Sequence, residues 1–237
     1  MIRDAEILSQ LTDTIARFVR ERLVPAEQQV AESDAIPDDI VADMKAMGLF
    51  GLSIPEELGG LGLTMEEEVM VAFELGRTSP AFRSLMGTNN GIGAQGILID
   101  GTDEQKQKYV PQLATGEVIG AFCLTEPDVG SDSGAVKTRA EKDGDHYILN
   151  GTKRFITNGP HAGLFTVMAR TNPDIPGGGG VTAFIVDGDT PGIHRGKADV
   201  KMGQKGAHTC DIIFENCRVP AETVSYTHLT LPTNGCV

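Results

Sequence analysis

Basic side chains and aromatic rings are scarce in this sequence. Tryptophan is absent, aromatic residues make up 5% of the 237 positions, and 20 Lys and Arg stand against 33 Asp and Glu, for a formal net charge of −13. Nucleic acids and anionic membranes require clustered positive charge on the protein that binds them. We therefore expect neither a nucleic acid nor a membrane among the partners of this chain.

Cysteine and histidine are also sparse, and their spacing excludes two kinds of site. The five histidines show no HxxxH spacing, and no CxxC pair occurs among the four cysteines, Cys123, Cys210, Cys217 and Cys236. A zinc site and a disulfide framework are therefore not predicted. The first residues resemble neither a signal peptide nor a transit peptide, and no apolar run approaches the roughly 18 residues of a membrane span. We expect reduced thiols, no metal and a cytoplasmic location.

The first half of the chain has the periodicity of helices. Apolar residues recur at three- and four-residue steps from Leu8 to Leu23, which predicts a helix that ends at Pro25. Pro37 is suited to the first turn of a second helix, with Gly48 as its C-terminal stop.

Two capping boxes predict further helix starts. Thr64 is followed three residues later by Glu67, and Thr102 is followed by Gln105 in the same way. In this pattern each side chain accepts a hydrogen bond from the backbone N–H of the other residue.

From residue 121 the apolar period changes to two, which is typical of strands. Strands are predicted at 147–149 and 155–156, joined in a hairpin by the turn-forming pair Asn150-Gly151, and further strands at 167–169, 182–186 and 211–214. Helices followed by strands indicate an α+β fold. We expect an all-α domain over residues 1–119 and an antiparallel β-barrel or sandwich-like domain over residues 120–224.

Two glycine-rich segments do not predict phosphate binding. Residues 91–96 fit GxGxxG, but a helical pattern precedes them instead of the strand that a dinucleotide-binding turn requires. Residues 177–180 are all glycine, and no helix follows whose N-terminus could bind an anion. We interpret the first segment as close helix packing and the second as a loop between strands.

The candidate site lies at the ends of two predicted strands. The apolar run 121–124 leads into Thr125 and then into a turn that contains Ser131. The second strand carries Phe155 and ends at Thr157. Hydroxyls, backbone amides and an aromatic ring suit a flat, hydrogen-bonding ligand with a phosphate tail.

Together, the segments 121–132 and 154–159 resemble the acyl-CoA dehydrogenase family of FAD enzymes, and the resemblance extends from about the start of the chain to Val224. It implies FAD as cofactor, an acyl-CoA as substrate and electron-transferring flavoprotein as electron acceptor. The implied reaction is the α,β-dehydrogenation of the thioester to a trans-2-enoyl-CoA. Full-length relatives are expected to form homo-oligomers, mostly tetramers.

The resemblance also implies which residues bind the cofactor. Thr125 is expected to bond the polar edge of the flavin, Thr157 to approach its reactive nitrogen, and Phe155 to occupy the place where many relatives carry tryptophan. Ser131 is expected near both the FAD pyrophosphate and the acyl-CoA. The full set of predicted cofactor-binding residues is Phe122, Cys123, Leu124, Thr125, Gly130, Ser131, Phe155, Ile156 and Thr157.

Three further residues near the motif have other expected roles. Glu126 and Asp132 are carboxylates, but we expect them to fix the turn through backbone N–H groups. Val129 stands where the family usually has a smaller residue, so local packing is expected to differ.

The resemblance implies a C-terminal helical bundle after the β domain, and we expect the 237 residues to lack it. The resemblance places the catalytic base in that bundle, so no base is assigned here and the chain is expected not to turn over. Residues 225–237 carry no Lys, Arg, Asp or Glu and no helix cap. We interpret them as foreign to the gene, from a frameshift or a sequencing-derived junction, and a genuine short C-terminus is the alternative.

Three functions are compatible with these residues. The first is an acyl-CoA dehydrogenase, and the second is a non-catalytic fragment that binds FAD or acyl-CoA. The third is a related flavin oxidase on the same fold, which oxygen access to the flavin would distinguish from the first.

Overall fold

The structure is a computed structural model that describes residues 4–227, and in this range helices precede strands. Their order places the helical half first, as expected for an α+β chain. The helices are α1 (Ala5–Phe18), α2 (Val24–Ser33), α3 (Asp38–Ala46), α4 (Met65–Leu75), α5 (Pro80–Asn90), α6 (Gln95–Asp100) and α7 (Asp103–Ala114).

Helices α4 and α7 begin at the two predicted capping boxes. The Thr64 hydroxyl accepts the Glu67 N–H at 3.4 Å, and the Glu67 carboxylate accepts the Thr64 N–H at 2.7 Å. Thr102 and Gln105 make the same reciprocal pair at 3.2 and 3.0 Å. Both predictions are confirmed, because a capping box needs only residues three positions apart.

The prediction that the first helix ends at Pro25 is wrong. The π-helical turn Val19–Leu23 follows α1, the Val24 N–H bonds to the Val19 carbonyl, and α2 continues to Ser33. Pro25 lies in the first turn of α2, where a residue without an N–H is tolerated. The stop predicted at Gly48 is confirmed, since α3 ends at Ala46 and Gly48 has a left-handed φ of +70°.

Eight strands form one sheet within residues 4–227, in the order β6-β7-β3-β2-β4-β5-β8, with β1 paired to β4. Five pairings are antiparallel, and the pairings of β1 and β2 with β4 are parallel. The predicted fold class is confirmed, with a mixed sheet in the second domain. The strands are β1 (Gly120–Cys123), β2 (Arg139–Asp143), β3 (His146–Thr157), β4 (Leu164–Arg170), β5 (Val181–Asp187), β6 (Ile193–Arg195), β7 (Thr209–Pro220) and β8 (Val224–Thr227).

The hairpin predicted at Asn150-Gly151 is wrong. Strand β3 continues through this pair and remains hydrogen-bonded to β7 on both sides, with a bulge at Gly151. A β-carbon at Gly151 would lie 2.4 Å from the Thr138 hydroxyl, so glycine permits a close approach there and not a turn. The hairpin turn lies earlier, between β2 and β3, where Gly144 has a φ of +62°.

The loop predicted at residues 177–180 is confirmed, whereas residues 91–94 are the connection that joins α5 to α6, which begins at Gln95. No strand precedes this connection, and the close approach of Gly93 is to the Thr88 carbonyl of α5, where a β-carbon would lie 2.6 Å from it. Residues 177–180 form a short 3-10 turn between β4 and β5.

The tail predicted to be foreign, residues 225–237, falls mostly outside the described residues. Residues 225–227 belong to β8, which pairs with β5, and nothing further is described of the segment, Cys236 included. Among the helices of residues 4–227, none is long and apolar enough to cross a membrane.

Candidate functional site

The residues that follow β1 lie against the C-terminal part of β3. The Arg154 N–H donates to the Thr125 carbonyl at 2.8 Å, and the Lys153 ammonium donates to the Leu124 carbonyl at 3.1 Å. Two segments that are about thirty positions apart in the sequence are thus adjacent, which places the predicted contacts of both strands in one region.

Phe155 is held outward by an irregularity in β3. The register with β7 shifts between Lys153 and Ile156, and Phe155 in this bulge has a φ of +57° and leaves 57% of its surface exposed. The Arg154 guanidinium lies 4.9 Å from the ring centroid. Left-handed backbone at a bulky residue is unfavourable by about 1–3 kcal/mol, and such strain concentrates at functional sites. Bulges also redirect side chains next to binding sites.

Three of the predicted contacts carry hydroxyls with no protein partner. Within residues 4–227, the side chains of Thr125, Ser131 and Thr157 make no hydrogen bond to another protein group, and Ser131 is exposed. A β-carbon at Gly130 would meet no atom within 4 Å. The site therefore offers free donors and open space.

The other predicted contacts are inside the protein to different extents. Cys123 and Ile156 are 0% and 2% exposed and belong to the same apolar core of the β domain, so only their backbone can reach a ligand. Burial raises the pKa of the Cys123 thiol, which fits a small core residue. Phe122 and Leu124 are half-buried and pack against a separate apolar cluster. Alternate residues of β1 thus point to opposite faces.

A buried ion pair lies directly beneath the meeting point of the strands. The Glu126 carboxylate accepts the Lys153 ammonium at 2.8 Å, and also the backbone N–H groups of Lys137 at 2.7 Å and Thr138 at 2.9 Å. Glu126 and Lys153 are 5% and 0% exposed. The expectation that Glu126 fixes the turn through backbone N–H groups is confirmed.

Lys153 was not identified from the sequence, because a lysine in a strand is ordinarily exposed. The alternation of side chains along β3 did indicate burial. Counted without the bulge at Gly151, Lys153 falls on the same face of the strand as the apolar Leu149. The expectation that the Asp132 carboxylate also fixes the turn is wrong: within residues 4–227 it accepts no backbone N–H, and the Asp132 carbonyl receives the Ala135 N–H at 3.1 Å.

The pair is arranged to remain ionised. Burial alone would raise the pKa of Glu126, but the hydrogen bond and charge of Lys153, together with the two amide donors, hold that pKa below its ordinary value. Burial lowers the pKa of Lys153, and Glu126 opposes this shift. A carboxylate with three donors is the form that satisfies the buried polar groups.

Val129 packs inward from a tight turn. Its N–H and carbonyl exchange hydrogen bonds with those of Glu126 at 3.1 and 2.9 Å, and its side chain is 3% exposed, packed with Val136, Met168 and Val181. The larger side chain at this position thus fills an apolar cluster beside the site.

Helix α5 closes the other side of the strand ends, and sequence reasoning gave no role to the residues responsible. Asn158, which follows Thr157 with a φ of +62°, donates through Nδ2 to the Leu85 carbonyl at 2.9 Å and to the Thr88 hydroxyl at 2.7 Å. Asn89 is fully buried and accepts the Gly120 N–H at 2.8 Å, at the start of β1.

A large cleft lies away from these residues. It measures about 930 Å³ and follows β2 and the end of β4, and none of the nine predicted cofactor residues lines it. Its size alone does not make it the cofactor site, because the free hydroxyls and the exposed Phe155 ring are at the strand ends.

Sequence comparison identifies the two halves of the chain. The profile of the acyl-CoA dehydrogenase N-terminal domain matches residues 6–117, and that of the acyl-CoA dehydrogenase middle domain matches residues 121–217. The chain belongs to the acyl-CoA dehydrogenase family. It spans 52% to 54% of the length of three curated acyl-CoA dehydrogenases that it matches, and 34% of a fourth.

Individual relatives of the acyl-CoA dehydrogenase family agree with this assignment. The mitochondrial isovaleryl-CoA dehydrogenase of Pongo abelii is 39% identical over 91% of this chain and 52% of its own length. A chain in the structure described as the electron transferring flavoprotein of Acidaminococcus fermentans superposes with a TM-score of 0.90 at 35% identity, over 96% of this chain and 60% of its own. A glutaryl-CoA dehydrogenase from Mycobacterium smegmatis in complex with FADH2 gives a TM-score of 0.87 at 31% identity, over 96% and 57%.

The residues present fit a flavin. An isoalloxazine ring needs a flat apolar neighbour and hydrogen-bond donors along one edge. The exposed Phe155 ring and the free hydroxyls of Thr125 and Thr157 supply these groups. Thr125 and Thr157 would hold the ring edge, and Gly130 and Ser131 would lie at its phosphate side.

Proposed function

We propose that this chain carries part of the FAD and acyl-CoA binding site of a flavin-dependent dehydrogenase that converts an acyl-CoA to the trans-2-enoyl-CoA. The observation that carries the proposal is the exposed Phe155 ring, which a left-handed backbone holds outward at the junction of β1 and β3, beside two threonines whose hydroxyls have no protein partner within residues 4–227. The family membership and the relative bound to FADH2 support FAD as the ligand.

In this proposal, the segments of the site contact different parts of the ligands. Phe155 provides an apolar plane, Thr125 and Thr157 orient the polar edge of the cofactor, and the backbone of Phe122 to Leu124 lines it. Gly130 and Ser131 contact the pyrophosphate, and Ser131 also contacts the acyl-CoA. When bound, FAD would accept the hydride that leaves the β-carbon of the thioester. The protein's contribution is to orient the reactants and exclude water.

Glu126 is unsuited to removing the α proton. The residue is 5% exposed and its carboxylate already accepts three donors, so it is shielded from a substrate and held in place by the loop and by Lys153. We propose that the base comes from the part of the relatives' length that this chain does not match, and that the chain by itself does not turn over.

The remaining assignments are also proposals. We propose a domain division at residues 119 and 120, a foreign origin for residues 225–237 and a cytoplasmic location. We also propose that a longer protein passes its electrons to an electron-transferring flavoprotein. A homotetramer is proposed for a longer protein, and α4 leaves Met65, Val69 and Phe73 exposed, an apolar surface of the kind that protein contacts cover.

Incubation with FAD, desalting and a visible absorption spectrum test the proposal. We expect retained flavin, and a colourless protein would contradict binding by this chain. Anaerobic addition of an acyl-CoA then separates the alternatives: no bleaching is expected of a binding fragment. Bleaching would contradict our proposal that the chain lacks the base, and the rate of recovery in air would then distinguish an oxidase from a dehydrogenase.

A further inference from the structure

The Glu126–Lys153 ion pair contacts every segment that carries a predicted cofactor contact. Glu126 follows Thr125 at the end of β1, and Lys153 precedes Phe155 by two positions in β3. Gly130 and Ser131 lie in the loop that begins at Glu126. The pair is thus the common point of three segments, two of them next to each other in the sequence and the third about thirty positions further on.

Glu126 closes the loop at its base. The N–H groups of Lys137 and Thr138, at the far end of the loop, both donate to the carboxylate that begins it, at 2.7 and 2.9 Å. The loop 126–138 is therefore a ring closed by two charge-assisted hydrogen bonds. Gly130 and Ser131 are held between these fixed ends.

Lys153 joins this loop to the bulge. Its ammonium donates to the Leu124 carbonyl as well as to Glu126, and the next residue, Arg154, donates its N–H to the Thr125 carbonyl. Thr125 therefore stands between two residues that Lys153 binds. The backbone that orients Phe155 is fixed by the same contacts.

A buried ion pair is rarely needed for stability, because apolar residues of similar volume avoid the desolvation of two charges. An apolar pair could fill the space, but it could not accept two amides and donate to a carbonyl in fixed directions. We propose that the Glu126–Lys153 pair is a positioning device that sets the relative places of Thr125, Ser131 and Phe155, an inference that rests on the proposed function of this site.

The test uses the 237-residue chain and three variants. E126L/K153M removes both charges and keeps an apolar filling, so that it does not leave a single buried charge. R218M is the matched control, because Arg218 and Asp143 form an exposed ion pair of 2.9 Å in the same sheet. K153M alone shows the effect of an unpaired Glu126. Amide hydrogen exchange without FAD is measured first, and FAD affinity by titration second.

For the double variant, we expect the amides in the core of β3 and β7 to keep their protection from hydrogen exchange. The amides of Lys137, Thr138 and Arg154 should exchange about tenfold faster or more, because their acceptors are gone or displaced. The dissociation constant for FAD should rise by about tenfold, and the flavin absorption band should change shape. R218M should match the wild type in both measurements.

If these three amides exchange as slowly in the double variant as in the wild type, the inference is overturned, whatever the affinity for FAD. Equal loss of protection across β3 and β7 would also overturn it, because the pair would then be a general stabilising contact. Failure of the wild-type chain to bind FAD would contradict the proposed function, and the exchange of these amides would still decide whether the pair fixes the loop and bulge.

Discussion

Different kinds of contact stabilise the helical half and the β half of this molecule. In the helical half, α4 and α7 begin at capping boxes made by residues three positions apart, and a large apolar cluster covers the inner faces of the helices. In the β half, the site depends on buried polar groups from distant positions, such as Glu126 with Lys153. Local signals therefore define the first half, and non-local contacts define the site. Substitutions at the two kinds of contact should therefore lower the stability of the protein by different amounts.

Removing the charge of Lys153 should be the most damaging change. K153M leaves the Glu126 carboxylate buried without its cation, so we expect the free energy of unfolding to fall by about 3–5 kcal/mol. Urea denaturation of K153M and of the exposed-pair control R218M measures this effect. R218M should change stability by about 1 kcal/mol or less. A loss in K153M no larger than that of the control would contradict a paired, buried lysine.

Asn89 should give the next largest effect, at the contact between the two halves. Its Nδ2 donates to the carbonyls of Leu113 and Val118, and its Oδ1 accepts the Gly120 N–H. N89A leaves these buried groups without partners, which should lower the free energy of unfolding by about 2–3 kcal/mol. Differential scanning calorimetry can detect the loss. A stability equal to wild type would show that the two halves do not depend on this residue.

A helix cap should have a smaller effect, although it is equally well formed. T102A removes the Thr102 hydroxyl that accepts the Gln105 N–H, and we expect a loss of about 1 kcal/mol. Chemical denaturation alongside T115A provides the comparison, because the exposed Thr115 hydroxyl donates to two carbonyls in the last turn of α7 and accepts the Glu117 N–H at a longer 3.3 Å, beyond the end of the helix. An equal loss of unfolding free energy in T102A and N89A would show that local and non-local contacts contribute equally to stability.

These differences explain what the sequence could and could not predict. Capping boxes and the stop at Gly48 were predictable because each depends on neighbours along the chain. The hairpin at Asn150-Gly151 was predicted wrongly because Thr138, close in space and distant in sequence, requires a glycine there. The end at Pro25 was wrong because a π-helical turn lets the helix continue.

For the site itself, the strand ends and their hydroxyls were predictable from the motif, and so was the turn-fixing role of Glu126. Its buried partner Lys153 and the left-handed φ of Phe155 were not, because the bulge that produces them exists only when β3 pairs with β7. Asn158 was present in the motif, but its contact with α5 depends on how the two halves meet.

The smallest expected effect is a pH dependence at a second contact between the halves. His161 lies 3.0 Å from His208, which bonds the Asp34 carbonyl at 2.7 Å and has the Asp34 carboxylate at 3.8 Å. Burial and the nearby His208 lower the pKa of His161 below 6.5. The unfolded chain therefore binds the proton more readily, and stability should fall as the pH drops below 6.5 toward the folded pKa.

Unfolding midpoints measured across this pH range for the wild type and H161N test the sign. The variant should show a shallower loss of stability on acidification. An identical slope in the two proteins would assign the pH dependence to other groups.

If the ends of β1 and β3 form a flavin site, the affinity for FAD should depend on Phe155. We would titrate FAD into the wild type, F155A and F73A, since Phe73 on α4 is 68% exposed and Phe155 is 57% exposed. We expect the wild type and F73A to bind FAD equally and F155A to bind it about tenfold more weakly, because a stacking aromatic ring is lost. Equal affinity of F155A and F73A for FAD would contradict a flavin site at these strand ends.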